Sequence, residues 1–204
     1  MKFVFFYCLL VPVLAVCQDQ KATSILNELS EKTRQYKTME AHFTNVFTSQ
    51  IADVNESKKG IIYVNGDAFK LDTEDQLIIS DGETNWIYLV DENEVNITEG
   101  TDDETLNPSS IFTMYENGYK YKYVKDDGTH HHIELYPTQS GAFSRIEMKI
   151  NKAKMEISSF TMVDKQGSQF TYIIDKFIAD KEYSSGFFKF DTSSYPGVDV
   201  IDLR

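Results

Sequence analysis

The spacing of apolar residues follows a helical period once near the start of the chain and then settles into a strand-like period. Between residues 18 and 36, Ala22, Ile25, Leu26, Leu29 and Tyr36 recur at helical spacing, with Lys21, Glu28, Glu31, Lys32 and Arg34 off that stripe. This predicts an amphipathic helix laid on something apolar. From Met39 the period becomes two: Met39, Ala41, Phe43 and Phe47 share one face, and Glu40, His42, Thr44, Thr48 and Gln50 the other. Strand-like runs follow at 59–64, 68–73, 76–90, 94–98, 119–124, 131–136, 143–150, 155–163, 168–178 and 187–190. The run at 76–90 is a hairpin about Asp81-Gly82, where glycine reaches positive φ without a Cβ clash. It holds Trp86, the only tryptophan.

Turn residues separate the later runs, at Asp126-Asp127-Gly128, Ser140-Gly141 and Lys165-Gln166-Gly167. Between residues 99 and 118 the strand pattern breaks. The acidic Asp102-Asp103-Glu104 leads to Asn107, a good N-cap, and Pro108, a good first helical residue, with Gly118 placed to end the helix. Ile111, Phe112, Met114 and Tyr115 make this short helix apolar over much of its circumference. The pattern as a whole predicts a mainly β chain: about eleven strands in one large antiparallel sheet, strongly curved or closed into a barrel, with two amphipathic helices. The two helices either plug the sheet as ordinary core or enclose with it an apolar pocket for a greasy ligand. Pattern alone leaves both open.

Composition adds detail to this picture. At 204 residues and 41% hydrophobic, the chain buries one core of respectable size, and residues 18–204 read as a single domain. Its 14 Phe and 12 Tyr exceed what a lean core needs. A net charge of −12 argues against nucleic acid or anionic lipid head groups as partners. Residues 1–17 have the layout of a secretory signal peptide: Lys2, an apolar run through Val16, and small residues before Gln18. Such a run is short for a membrane span. Cys17 also admits a lipoprotein signal, although the bulky Val16 before it favours simple cleavage. Cleavage removes Cys8 and Cys17, the chain's 2 cysteines, and with them disulfides, thiol nucleophiles and Cys-metal sites.

The catalytic inventory is thin. There is no nucleophile elbow, P-loop or dinucleotide fingerprint, and in so acidic a chain no carboxylate pair stands out as an acid/base couple. His130-His131-His132 is a weak metal signal without further ligands, and Asp102-Asp103-Glu104 lacks calcium-loop spacing. The expectation is no enzyme, no cofactor and no metal.

The order of certain motifs goes further. Ala41-His42-Phe43-Thr44-Asn45, Gly60-Ile61-Ile62-Tyr63-Val64, Phe69-Lys70-Leu71, Ser80-Asp81-Gly82 with Trp86 and Tyr88, Asn107-Pro108-Ser109-Ser110-Ile111, and the terminal Phe188-Lys189-Phe190 and Gly197-Val198-Asp199 follow the amphipathic helix. In this order the chain resembles the LolA family of periplasmic lipoprotein carriers, over essentially all of the mature sequence. The resemblance implies an unclosed antiparallel half-barrel capped by helices, around an apolar cavity for lipoprotein acyl chains. It implies a periplasmic monomer that receives acylated lipoproteins from an inner-membrane ABC-type exporter and passes them to an outer-membrane acceptor. Phe43, Phe47, Phe69, Leu71, Trp86, Tyr88, Ile111, Phe112 and Met114 are the cavity residues it points to. One departure stands out. Studied family members carry an Arg before a Pro ahead of the Phe69 strand, and that Arg ties the lid shut. Here the turn is Asn65-Gly66-Asp67, so closing is expected to rest on apolar contacts. Two rival readings use the same fold: an anchored outer-membrane acceptor, if Cys17 is lipidated, and a periplasmic sensor module that binds a protein partner.

Overall fold

The computed structural model describes residues 13–49, 51–100 and 112–204. The leader up to residue 12, the acidic loop at 102–104 and the expected helix start at 107–111, including Ile111, lie outside the described residues. Helix α1 (Val13–Thr33) precedes β1 (Thr38–Ser49), β2 (Val54–Asn65), β3 (Ala68–Thr73), β4 (Gln76–Ser80), β5 (Thr84–Leu89) and β6 (Glu94–Glu99). After a short 3-10 turn (Met114–Glu116) come β7 (Tyr119–Asp126), β8 (His130–Pro137), β9 (Phe143–Asn151), β10 (Glu156–Asp164), β11 (Gln169–Ala179) and β12 (Asp199–Asp202).

The described strands form one sheet in the order β12-β6-β5-β4-β3-β2-β1-β11-β10-β9-β8-β7. Its two edges, β12 and β7, do not pair, so the barrel is unclosed. Register shifts at His42/Phe43, Ile157/Ser159, Val163/Asp164 and Tyr123/Lys125 mark bulges, which bend strands and add twist. They curve the sheet around α1.

Eleven strands pair antiparallel with their neighbours, but β12 runs parallel to β6, so the sheet is mixed. The expected strand at 187–190 is a bent segment instead, turned by bonds from Phe187 N–H to the Ser184 carbonyl (3.0 Å) and from Lys189 N–H to the Gly186 carbonyl (3.2 Å). Its aromatic residues face the sheet as a strap. Tyr63 meets the Phe187 ring at 5.0 Å and Tyr183 at 5.7 Å, and Lys70 Nζ lies 4.9 Å from the Phe187 centroid. The strap then delivers β12 to the edge of β6, where the Asp199 N–H bonds to the Asn93 carbonyl at 3.0 Å. A crossing over one face brings the chain back in the direction of β6, which is why the last pairing is parallel.

Core lies on both faces. On the inner face, Ala22, Ile25, Leu26 and Leu29 of α1 are buried against Tyr123, Ile133, Leu135, Ile146, Met148, Ile150 and Phe160. A buried Leu or Ile side chain contributes about 1.5–3 kcal/mol, so this stripe fixes the helix inside the curve of β7–β10. On the outer face, Leu77, Ile79, Tyr88 and Val95 are sealed by Phe190, Tyr195 and Val198 of the strap. Glu40, also on the outer face, is buried and accepts hydrogen bonds from Lys181 Nζ (2.7 Å) and Tyr183 OH (2.9 Å), with His42 Nε2 at 2.8 Å. Burial raises its pKa, but these bonds outweigh burial together and hold the carboxyl at about 2.

Candidate functional site: the inner face of the half-barrel

Strand alternation sorts the expected cavity residues into two groups. In the ladder from β1 to β4, Ala41 stands opposite Ile62, Ile62 opposite Leu71, and Leu71 opposite Ile78. All four therefore point to the inner face. Met39, Phe43, Leu71, Ile78, Ile174 and Phe177 are half-buried there around the buried Ala41, Ile62, Val64, Phe69 and Phe112. Phe47 continues the same face, with its ring 4.7 Å from Phe170, and Phe43 meets Tyr172 at 5.8 Å. Tyr172 in turn stacks on Phe160 at 4.8 Å. One apolar surface thus runs from the helix-covered half of the sheet into a half covered, among the described residues, by Phe112.

Trp86 and Tyr88 do not join it. Ile79 pairs with both Trp86 and Lys70, and Lys70 with Tyr63, which places Trp86 and Tyr88 on the outer face. They pack there beneath the strap. A hairpin's two faces look alike when both are apolar, and in β4–β5 both are. Met114 opens the 3-10 turn, and Ile111 lies outside the described residues. Sequence reading missed Phe170, Tyr172 and Ile174. Their period-two spacing was visible, but the bulge in β11 breaks the count before Phe177.

The segment that carries Phe112 is anchored at several points. Tyr115, 1% exposed, sits in the α1 core, and burial pushes its phenol up to about 12. Glu116 accepts hydrogen bonds from Ser30 Oγ and from Arg34 at 2.5 Å, and Tyr121 OH donates to the Tyr115 carbonyl at 2.7 Å. The ties between this segment and α1 are therefore polar as well as apolar.

Gly60 shapes the floor. It pairs with Phe43, and a Cβ there would lie 2.5 Å from Phe43 Cζ, so the ring lies across the glycine. Gly60→Ala is expected to cost about 1–3 kcal/mol, because the ring tip must swing aside and the Asp72 carbonyl, 3.1 Å from the added Cβ, must give as well. Thermal unfolding measures that cost.

Other groups show different chemistry. An open groove of about 620 Å3 passes Phe43, Gly60 and Ile61 as well as His42, Lys59, Asp72, Asp175 and Lys176, so its lining is part apolar and part charged. Each imidazole of the histidine run has a partner: His132 bonds Asp127 at 2.7 Å, His130 bonds Thr129 at 2.8 Å, and His131 bonds Tyr123 at 3.1 Å. Among the described residues no group of three His, Cys, Asp or Glu could hold a metal ion, and no helix is long and apolar enough to cross a membrane.

A curved, unclosed sheet with a helix laid inside it and an apolar inner face is a β half-barrel. The chain belongs to the family described as outer membrane lipoprotein carrier protein LolA, whose model matches residues 34–191. It is 21% identical over 189 residues to the outer-membrane lipoprotein carrier protein of Coxiella burnetii (strain CbuK_Q154), covering 85% of each chain. It is 23% identical over 143 residues to that of Legionella pneumophila (strain Corby), covering 69% of this chain and 66% of the relative. Its fold is similar to the crystal structure of an uncharacterized conserved protein from Thermus thermophilus, with a TM-score of 0.59 at 14% identity over 90% of this chain and 99% of the other.

Proposed function

We propose that the protein is a periplasmic carrier that holds the acyl chains of lipoproteins against the inner face of its half-barrel. It receives them from an inner-membrane ABC-type exporter and delivers them to an outer-membrane acceptor. The observation that carries this reading is the half-buried apolar surface of Phe43, Phe47, Leu71, Ile78, Ile174 and Phe177 in a chain of the LolA family. Residues 1–17 act as its export signal, and Ile111, Phe112 and Met114 close over the bound chains.

The physical need is clear. One myristoyl chain gives a membrane affinity of roughly 10⁴ M⁻¹, and each buried CH₂ adds about 0.8 kcal/mol. A multiply acylated protein therefore does not cross an aqueous compartment unaided. A carrier offers its chains apolar contact in place of lipid. Delivery then requires only that the acceptor hold them more tightly. No bond is made or broken in such a cycle.

The test adds purified mature protein to spheroplasts and looks for newly made lipoproteins in the soluble fraction. A one-to-one soluble complex is the expected result. No release, together with a diacylglyceryl group on Cys17 by mass spectrometry, replaces the soluble carrier with an anchored acceptor. No release and no lipid rejects both.

A further inference from the structure

Along β1 the inner positions read Met39, Ala41, Phe43, Asn45 and Phe47, and the apolar run has one polar member. Asn45 pairs with Tyr172 of β11 on one side and with Lys58 of β2 on the other, and alternation turns it to the same side as Phe43 and Phe47. Its side-chain amide nitrogen is buried and has no hydrogen-bond partner. Among the described residues only one other buried side-chain atom shares that condition, the hydroxyl of Tyr115. Tyr115 is enclosed beneath α1. Asn45 as a residue is half-buried among half-buried aromatic side chains, so a ligand reaches its covered nitrogen by parting those rings.

A buried donor without an acceptor lowers the stability of the protein that carries it. A strand floor would be better served at this position by valine or leucine, so the amide answers to something other than folding. An acyl chain supplies what is missing. Its hydrocarbon matches Phe43, Phe47 and Phe170, but it begins at an ester or amide carbonyl, an acceptor with no donor of its own. Seating the chain up to its first methylenes withdraws that carbonyl from water, which is unfavourable unless a donor replaces the water.

We infer that Asn45 is the polar anchor of the acyl site: its Nδ2 donates a hydrogen bond to the carbonyl that joins an acyl chain to its head. The inference rests on the carrier reading above and adds a specificity to it. A site built around a donor discriminates against a ligand that lacks the acceptor, because the donor is left unpaired when that ligand binds. The protein is therefore selective for acyl over alkyl chains, where a purely apolar pocket would treat them alike.

The test titrates the protein, by calorimetry below the micelle threshold, with two probes of equal chain length: palmitoyl lysophosphatidylcholine, which carries an ester, and hexadecyl lysophosphatidylcholine, which carries an ether. The protein as it stands is expected to bind the ester roughly five- to tenfold more tightly. Asn45→Leu is expected to bind both probes equally within about twofold, with the ether affinity kept, and to melt no lower than the parent without ligand. Asn45→Val, suited to a strand, gives the same readout if the leucine crowds Tyr172. An ester preference that survives in these variants, or one absent from the parent, overturns the anchor and leaves the carrier intact. Binding of neither probe by the parent removes the acyl site altogether, and the anchor with it.

Discussion

Leu71→Glu is expected to reduce acyl-chain uptake by at least about a hundredfold while the protein stays folded. Leu71 is half-buried on the inner face, part of the cluster around Ile62 and Phe69. In the empty protein a glutamate there can turn its carboxylate toward water. Once acyl chains lie over it, that carboxylate is either buried or protonated, and either costs about 3 kcal/mol or more. Thermal unfolding checks the first half of the expectation, and titration with an ester-linked lysolipid or the spheroplast release assay the second. Normal uptake by this variant would mean that the chains lie elsewhere. The neighbouring Phe69, 4% exposed, makes a poorer target. The same substitution there strands a charge in the core of the empty protein, so lost uptake would report lost folding.

Glu40→Ala is expected to destabilise the protein by about 2–3 kcal/mol, because it removes a charged acceptor shared by Lys181, Tyr183 and His42. Lys181 is half-exposed, so it regains water and the loss stays below that of a fully buried pair. The linkage sign follows from the depressed pKa, about 2 against an ordinary 4.5. The contribution is complete above pH 4.5 and fades as pH falls toward 2, because the unfolded chain takes up the proton first. Denaturant midpoints between pH 2 and 7 should show a difference between parent and Glu40→Ala that is constant above about pH 5 and shrinks below it. A constant difference across the whole range would mean that Glu40 acts by packing alone.

The fold was largely legible in the sequence because alternation is strong where one face is apolar and the other polar. The stripe of Ala22, Ile25, Leu26 and Leu29 fixed helix α1, and Met39, Ala41 and Phe43 gave β1 its face. Legibility failed at the C-terminus for a physical reason. Phe187, Phe188 and Phe190 read as a strand by composition, but their partners are rings on an outer face, and a segment that packs by aromatic contact needs no ladder. Conversely, Asp199–Asp202 is too short and too exposed to show alternation, and only its pairing with β6 makes it a strand. The make-up of the inner face was half legible. Phe43, Phe47, Phe69, Leu71 and Phe112 come together on the inner face, whereas Trp86 and Tyr88 belong to the other. Residues Leu77 to Ile79 and Trp86 to Tyr88 are apolar on both faces, so no period indicates which of them face inward. Asn45 could have been noticed as the break in an apolar run, yet its meaning needed the register that sets it between Phe43 and Phe47.

The parallel pairing of β12 with β6 also bears on how this chain is made. Strand β6 is complete at Glu99, but its outer neighbour is spelled by Asp199–Asp202, about a hundred residues later, and contacts so distant in sequence form late. Until the last residues are available, β6 presents an open edge, and Leu77, Ile79 and Tyr88 lack the cover of Phe190 and Tyr195. A nascent chain in that condition cannot reach its final stability however long it waits. If residues 1–17 act as the export signal proposed above, such a delay is useful: the polypeptide stays loose enough to be threaded until β12 and the strap can dock.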